Sequence, residues 1–139
     1  MIEKMKKLIV FTDGGALGNP GAAAAGVVIK DENGKILTQF GRFVGETTNN
    51  VAEYMGVVEA LKWISFHVPC PVSRVSFFLD SRLVVNQLNG LFKIKNTRLR
   101  ELVFKVRQLE QEVGGNISYQ HIPREENYLA DGEVKKILE

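Results

Sequence analysis

Four carboxylates, Asp13, Glu53, Asp80 and Asp131, stand where a folded chain could bring them to one place. Asp13 and Asp80 each close an apolar, β-favouring run, Ile9-Val10-Phe11-Thr12 and Val75-Ser76-Phe77-Phe78-Leu79. Ligands of open α/β sheets bind outside such strand ends. Two acids on neighbouring strands repel unless a cation lies between them, and an oxygen-only donor set selects Mg2+ or Mn2+ over zinc. Two such ions about 3.5–4 Å apart can activate a water on one side of a phosphodiester and stabilise the leaving oxygen on the other. Each acid also has a local reading. Asp13 could belong to a β-turn and Asp80 could cap a helix, while Glu53 and Asp131 could serve only helix dipoles, worth about 0.3–1 kcal/mol each.

The elements that must position these acids follow from patterning. The first strand is expected to end at Asp13, where Gly14, Gly15 and Gly18 and the turn Asn19-Pro20-Gly21 follow. Strands are expected over 22–30 and 35–44, joined by Asn33-Gly34, a hairpin signal. Apolar residues at helical spacing predict a helix from Val51 to about Val68, capped by Asn50, with Glu53 completing a capping box. Pro69-Cys70-Pro71 stops it. A buried strand over 74–80, helices over 81–88 and 97–113, a strand over 117–122 and a last helix over 128–138 complete the order βββαβααβα. Trp63, Met55, Phe77, Phe78 and Leu17 read as core or loop packing.

With 139 residues, 45% hydrophobic, the chain fits a single domain over 1–139 that can bury a core without disulfides. One cysteine, Cys70, cannot form an internal disulfide, which points to a reducing compartment and away from zinc chemistry. Lys4, Lys6 and Lys7 precede an apolar run too short for a signal-peptide core, and no segment approaches a membrane span. A cytoplasmic monomer is the expectation. The net charge of +2 is mild, but Lys93, Lys95, Arg98, Arg100, Lys105 and Arg107 crowd one region, either as a solvated helix face or as a nucleic-acid surface.

Taken together, Thr12-Asp13-Gly14-Gly15 with Gly18-Asn19-Pro20-Gly21, Thr48-Asn49-Asn50-Val51-Ala52-Glu53, Leu79-Asp80-Ser81, and Arg124-Glu125-Glu126-Asn127 before Ala130-Asp131 resemble type 1 ribonuclease H. The resemblance spans Ile9 to Asp131. It implies an α/β ribonuclease H-like fold with a five-stranded mixed sheet, three antiparallel strands then parallel ones, flanked by helices. It also implies hydrolysis of the RNA strand of RNA–DNA hybrids to 3′-hydroxyl and 5′-phosphate ends. Carried over by motif, Asp13, Glu53, Asp80 and Asp131 become catalytic ligands of two Mg2+ or Mn2+ ions. Asp13 would lie between the ions, Glu53 and Asp80 on the leaving-oxygen side, and Asp131 on the nucleophile side. Asn19, Asn49 and Asn50 become readers of the RNA minor groove, since an amide can donate to and accept from a 2′-hydroxyl. Gly14, Ser81 and Asn127 join them as expected substrate contacts. The expected partner is an RNA–DNA hybrid, with double-stranded RNA a further candidate.

Three departures from the family pattern stand out. Where many relatives insert a basic helix and loop, this chain has only Leu91-Phe92-Lys93-Ile94-Lys95-Asn96, so Lys93, Lys95 and Arg98 become the candidate phosphate contacts. His121 precedes Asp131 at the offset of a catalytic loop histidine in several relatives, yet here it sits at a strand end. Arg124 either binds phosphate or pairs with Glu125 or Glu126. Finally, Gly132 in the last helix costs about 1 kcal/mol against Ala, which predicts a frayed helix around Asp131.

A non-catalytic binding module for hybrids or RNA on the same fold is the alternative, and four acids beside phosphates argue against it. A DNA-directed nuclease of this fold is disfavoured by Asn49-Asn50. A dinucleotide or P-loop enzyme is excluded because neither Gly-rich signature is present.

Overall fold

The computed structural model describes residues 7–139; Lys4 and Lys6 of the basic N-terminal run lie outside them. Five strands, β1 (Lys7–Leu17), β2 (Gly21–Asp31), β3 (Ile36–Thr47), β4 (Arg74–Leu79) and β5 (Asn116–His121), form one mixed sheet in the order β3-β2-β1-β4-β5. β1, β2 and β3 pair antiparallel; β4 pairs parallel to β1 and β5 parallel to β4. Helices α1 (Asn49–His67), α2 (Arg82–Leu88), α3 (Thr97–Val113) and α4 (Tyr128–Leu138) complete the order read from the sequence. The hairpin between β2 and β3 turns at Gly34, whose φ of 85° suits a residue without Cβ.

Successive strand residues point to opposite faces. A Cβ at Gly14 would strike Ala52 of α1, and one at Gly15 would touch Val134 of α4, so α1 and α4 cover opposite faces of the sheet. The larger core lies on the α1 side, where Val10, Tyr54, Leu61, Ile64, Phe77, Leu79, Val84 and Val106 are buried. Trp63, expected in the core, is only partly buried against it and stacks on His67 at 4.5 Å. Leu17 is exposed at the tip of the first hairpin.

β1 does not stop at Asp13. It continues to Leu17 because β2 keeps pairing with it, Asp13 opposite Gly26 and Leu17 opposite Ala22. Only β4 ends here: its register with β1 runs out at Phe11 and Phe78. Asp13 therefore lies at a strand end with respect to β4 and mid-strand with respect to β2. Gly14 and Gly15 are ladder residues, and the turn itself falls at 18–20, with Gly18 at its start.

The last helix is not frayed. α4 runs through Leu138 with Ala130 and Val134 buried. It lies so close to the sheet that a Cβ on Gly26 would come 2.1 Å from the Ala130 carbonyl oxygen, and one on Gly41 2.6 Å from that of Glu133. Docking of this face offsets the poor helix propensity of Gly132, as tertiary packing commonly does.

Candidate active site

Asp13 lies within β1, two residues beyond Phe11, the last of its residues paired with β4, and Asp80 directly follows β4. Glu53 reaches them from α1. One carboxylate oxygen from each of Asp13, Glu53 and Asp80 lies within 4.8 Å of the others. Asp13 and Glu53 are buried and Asp80 is half-buried. The close approach of α1 is made possible by glycine: a Cβ on Gly14 would come 2.2 Å from the Ala52 carbonyl carbon and 2.3 Å from the Glu53 nitrogen. On the helix side, a Cβ on Gly56 would come 2.9 Å from the Asp13 carbonyl oxygen. Gly14, expected to touch substrate, thus acts as the seat for α1 beneath Glu53. Gly56 was passed over in the sequence, although a glycine inside a helix costs stability and so signals close packing.

Two local explanations for the acids fall away. The N-cap of α1 is Thr48, whose Oγ1 accepts from the Val51 N–H at 3.2 Å, not Asn50. Helix α1 therefore starts earlier than expected, and the Glu53 carboxylate is not spent on a capping box. Likewise Ser81, not Asp80, caps α2, accepting from the Val84 N–H at 3.3 Å. The hydroxyl of Ser81, expected at the substrate, serves the helix.

Packing three acids together without a cation has an electrostatic cost. The Asp13 carboxyl is pushed up to about 7, first by burial and then by the Asp80 carboxylate. Glu53 is held well above the usual carboxylate range, again by burial first and by Asp13 and Asp80 next. Glu53 Oε2 is buried and has no hydrogen-bond partner. An unsatisfied oxygen in a cluster of oxygen-only donors fits a hard divalent cation such as Mg2+ or Mn2+.

Asp131 is different. Projecting from the first turn of α4, it stands outside the group of three, although its charge still acts on Asp13. Lys135 lies 3.0 Å from one of its oxygens and Arg124 3.6 Å from the other. Arg124 thus pairs with neither Glu125 nor Glu126. His121 ends β5 opposite Leu79, so the register carries it to the same edge of the sheet as Asp80, half-buried.

The asparagines divide by burial. The Ala16 N–H donates to Asn49 Oδ1 at 2.9 Å and the Asn49 N–H donates to Asn19 Oδ1 at 2.9 Å, which locks the first hairpin to the start of α1. Both side chains are exposed, and Asn50 beside them is half-buried. Asn127, expected at the substrate, is 1% exposed. Its Nδ2 donates to the Thr12 carbonyl at 2.8 Å and to Asp80 Oδ2 at 3.0 Å. Lys93 and Lys95 are exposed in the short segment between α2 and α3. Arg107 is not part of a free basic face, since it bonds Glu110 and the Leu88 carbonyl.

A family model described as reverse transcriptase-like matches residues 11–136. The ribonuclease H1 of the archaeon Halobacterium salinarum superposes with a TM-score of 0.87 at 32% identity, covering 95% of this chain and 97% of that one. LC11-RNase H1, isolated from compost by a metagenomic approach, gives 0.87 at 42% identity, with 95% of both chains covered. The chain belongs to the type 1 ribonuclease H family. The bifunctional protein Rv2228c of Mycobacterium tuberculosis is 33% identical over 126 residues, covering 90% of this chain. The chain spans 34% of that protein's length and 63% of that of the halobacterial ribonuclease HI. LC11-RNase H1 has also been solved in complex with an RNA/DNA hybrid, and that structure matches with a TM-score of 0.81 at 40% identity and 95% coverage of this chain. Among the described residues, no helix is long and apolar enough to cross a membrane.

Proposed function

We propose that this chain is a metal-dependent endoribonuclease that cleaves the RNA strand of RNA–DNA hybrids, leaving 3′-hydroxyl and 5′-phosphate ends. The observation that carries the reading is the convergence of Asp13, Glu53 and Asp80 around the unpartnered Glu53 Oε2. Burial and mutual repulsion make that cluster costly unless it binds a cation.

Asp13, Glu53 and Asp80 would hold the cation or cations, with Asp131 completing a site for two Mg2+ or Mn2+ ions. When bound, such ions supply the charge that turns water into a nucleophile and stabilises the leaving oxygen of a phosphodiester. The protein's own groups do the rest. Asn19 and Asn49 are exposed and spend their side-chain oxygens on backbone N–H groups, which leaves their NH2 groups as the donors for a ligand. Donors there suit 2′-hydroxyl oxygens and minor-groove acceptors of the RNA strand, and Asn50 extends the same surface. Exposed Lys93 and Lys95 neutralise phosphates. His121, which ends β5 opposite Leu79, would pass protons to or from product, and Arg124 pairs with Asp131.

The test is cleavage of end-labelled RNA–DNA hybrid, double-stranded RNA and double-stranded DNA with Mg2+, Mn2+ or chelator. The reading expects cutting of the hybrid's RNA only when metal is present. A protein that binds hybrid but cuts nothing with either metal is a binding module, and the proposal is then wrong.

A further inference from the structure

Asn127 hydrogen-bonds both to β1, beside Asp13, and to Asp80 at the end of β4. It sits between the short 3-10 turn Arg124–Asn127 and the start of α4, the helix that bears Asp131. With 1% of its surface exposed, it cannot reach a nucleic acid lying over the site. Both amide protons are used inside: one on the Thr12 carbonyl in β1, immediately before Asp13, and one on Asp80 Oδ2 after β4. β4 stops pairing with β1 at Phe78 and Phe11, so no ladder hydrogen bond fixes Asp80 relative to Asp13. The amide spans that gap. It also donates to one oxygen of Asp80, so the orientation of that carboxylate beside Asp13 and Glu53 is tied to the amide. Asn127 Oδ1 is itself buried without a partner, a cost that a purely structural site would not ordinarily keep.

We propose that Asn127 is a positioning residue for the metal-binding acids: it fixes the Asp80 carboxylate relative to β1 and thereby sets the affinity of the site for a divalent cation. Outer partners of carboxylate ligands commonly control affinity by about 10–100-fold. The inference rests on the reading of Asp13, Glu53 and Asp80 as metal ligands, and its test keeps the two apart.

Mn2+ binding to the full chain is measured by calorimetry for wild type, Asn127→Ala and Asn96→Ala, well below the melting temperature of each. Asn96 caps α3, accepting from the Leu99 N–H, and its loss should lower stability alone. The expected result is Mn2+ affinity lowered about tenfold or more in Asn127→Ala and unchanged in Asn96→Ala. With hybrid as substrate, kcat should fall while KM stays within about twofold. Equal Mn2+ affinity in wild type and a folded Asn127→Ala overturns the proposal, and so does a raised KM with unchanged Mn2+ affinity, which would make Asn127 a substrate contact. Wild type that binds no Mn2+ overturns the metal reading and this inference with it. If Asn127→Ala does not fold, Asn127→Leu keeps the volume, removes the donor and the orphaned acceptor together, and carries the same comparison.

Discussion

Asp13, Glu53 and Asp80 on one side and Asp131 on the other show two ways of keeping a carboxylate at the candidate site. The first three are gathered by strand ends and a tightly seated helix, so their oxygens crowd within 4.8 Å, and among the described residues no cationic side chain pairs with them. Asp131 rides on a helix and brings its own counter-charge, Lys135 four residues on and Arg124 from the preceding turn. The first arrangement is destabilising until a cation enters; the second is satisfied without one. On the metal-binding reading proposed above, the cation would enter where the unliganded protein is least satisfied.

The sharpest way to break that comparison is to neutralise one acid from each group. Asp13→Asn should abolish cleavage, by well over the roughly 100-fold that loss of an outer partner costs. It should also raise the melting temperature in chelator, because a buried repulsion is relieved. Asp131→Asn should have the opposite sign in chelator, a slight loss of stability, since its ion pairs are lost. Calorimetry of both variants with and without Mg2+ decides it, and equal signs would sink the distinction.

A comparable effect should follow from steric pressure. Gly14→Ala drives a Cβ into the backbone at Ala52 and Glu53, so it should cost about 3 kcal/mol or more and displace Glu53. Gly132→Ala meets nothing within 4 Å and should stabilise α4 by about 1 kcal/mol. Urea unfolding of the two variants reads both.

The pH dependence comes next. Asp13 rises from 3.8 to about 7 on folding without metal. A carboxyl raised in this way stabilises the fold while protonated. Its contribution is complete below about pH 4 and is lost as pH climbs toward 7, at roughly 1 kcal/mol per pH unit. The chelated protein should therefore melt at a lower temperature at pH 8 than at pH 5. Added Mg2+ should recover the difference at pH 8 and do little at pH 5, because binding requires the ionised form. A flat melting profile in chelator would show that the cluster is not strained.

The smallest expected effect is at Lys135. Lys135→Met removes a half-exposed helical ion pair worth about 0.3–0.5 kcal/mol, and it should strengthen rather than weaken cation binding beside Asp131. Mn2+ titration would detect a second, weaker site moving to lower concentration.

Much of this was legible along the chain. Periodicity, the Asn33-Gly34 hairpin and the proline stop after α1 determined the order of elements, because these signals depend on neighbours within a few residues. Asp13 and Asp80 could be singled out because they close apolar runs, and Glu53 and Asp131 because the motifs around them resemble those of ribonuclease H. What the chain could not reveal was pairing at a distance. β1 passes through Asp13 because β2 continues beside it, a fact about register and not about the glycines themselves. Thr48 rather than Asn50 caps α1 because Asn49 is drawn to Ala16 and Asn19 across the first hairpin. Gly132 does not fray α4 because Gly26 and Gly41 let the helix sink onto the sheet. Asn127, expected as a substrate contact, is buried, since its burial depends on where β1 and β4 part company. Residue types determined which chemistry was available; tertiary packing decided which groups it was available to, because desolvation and counter-charge are properties of neighbours in space.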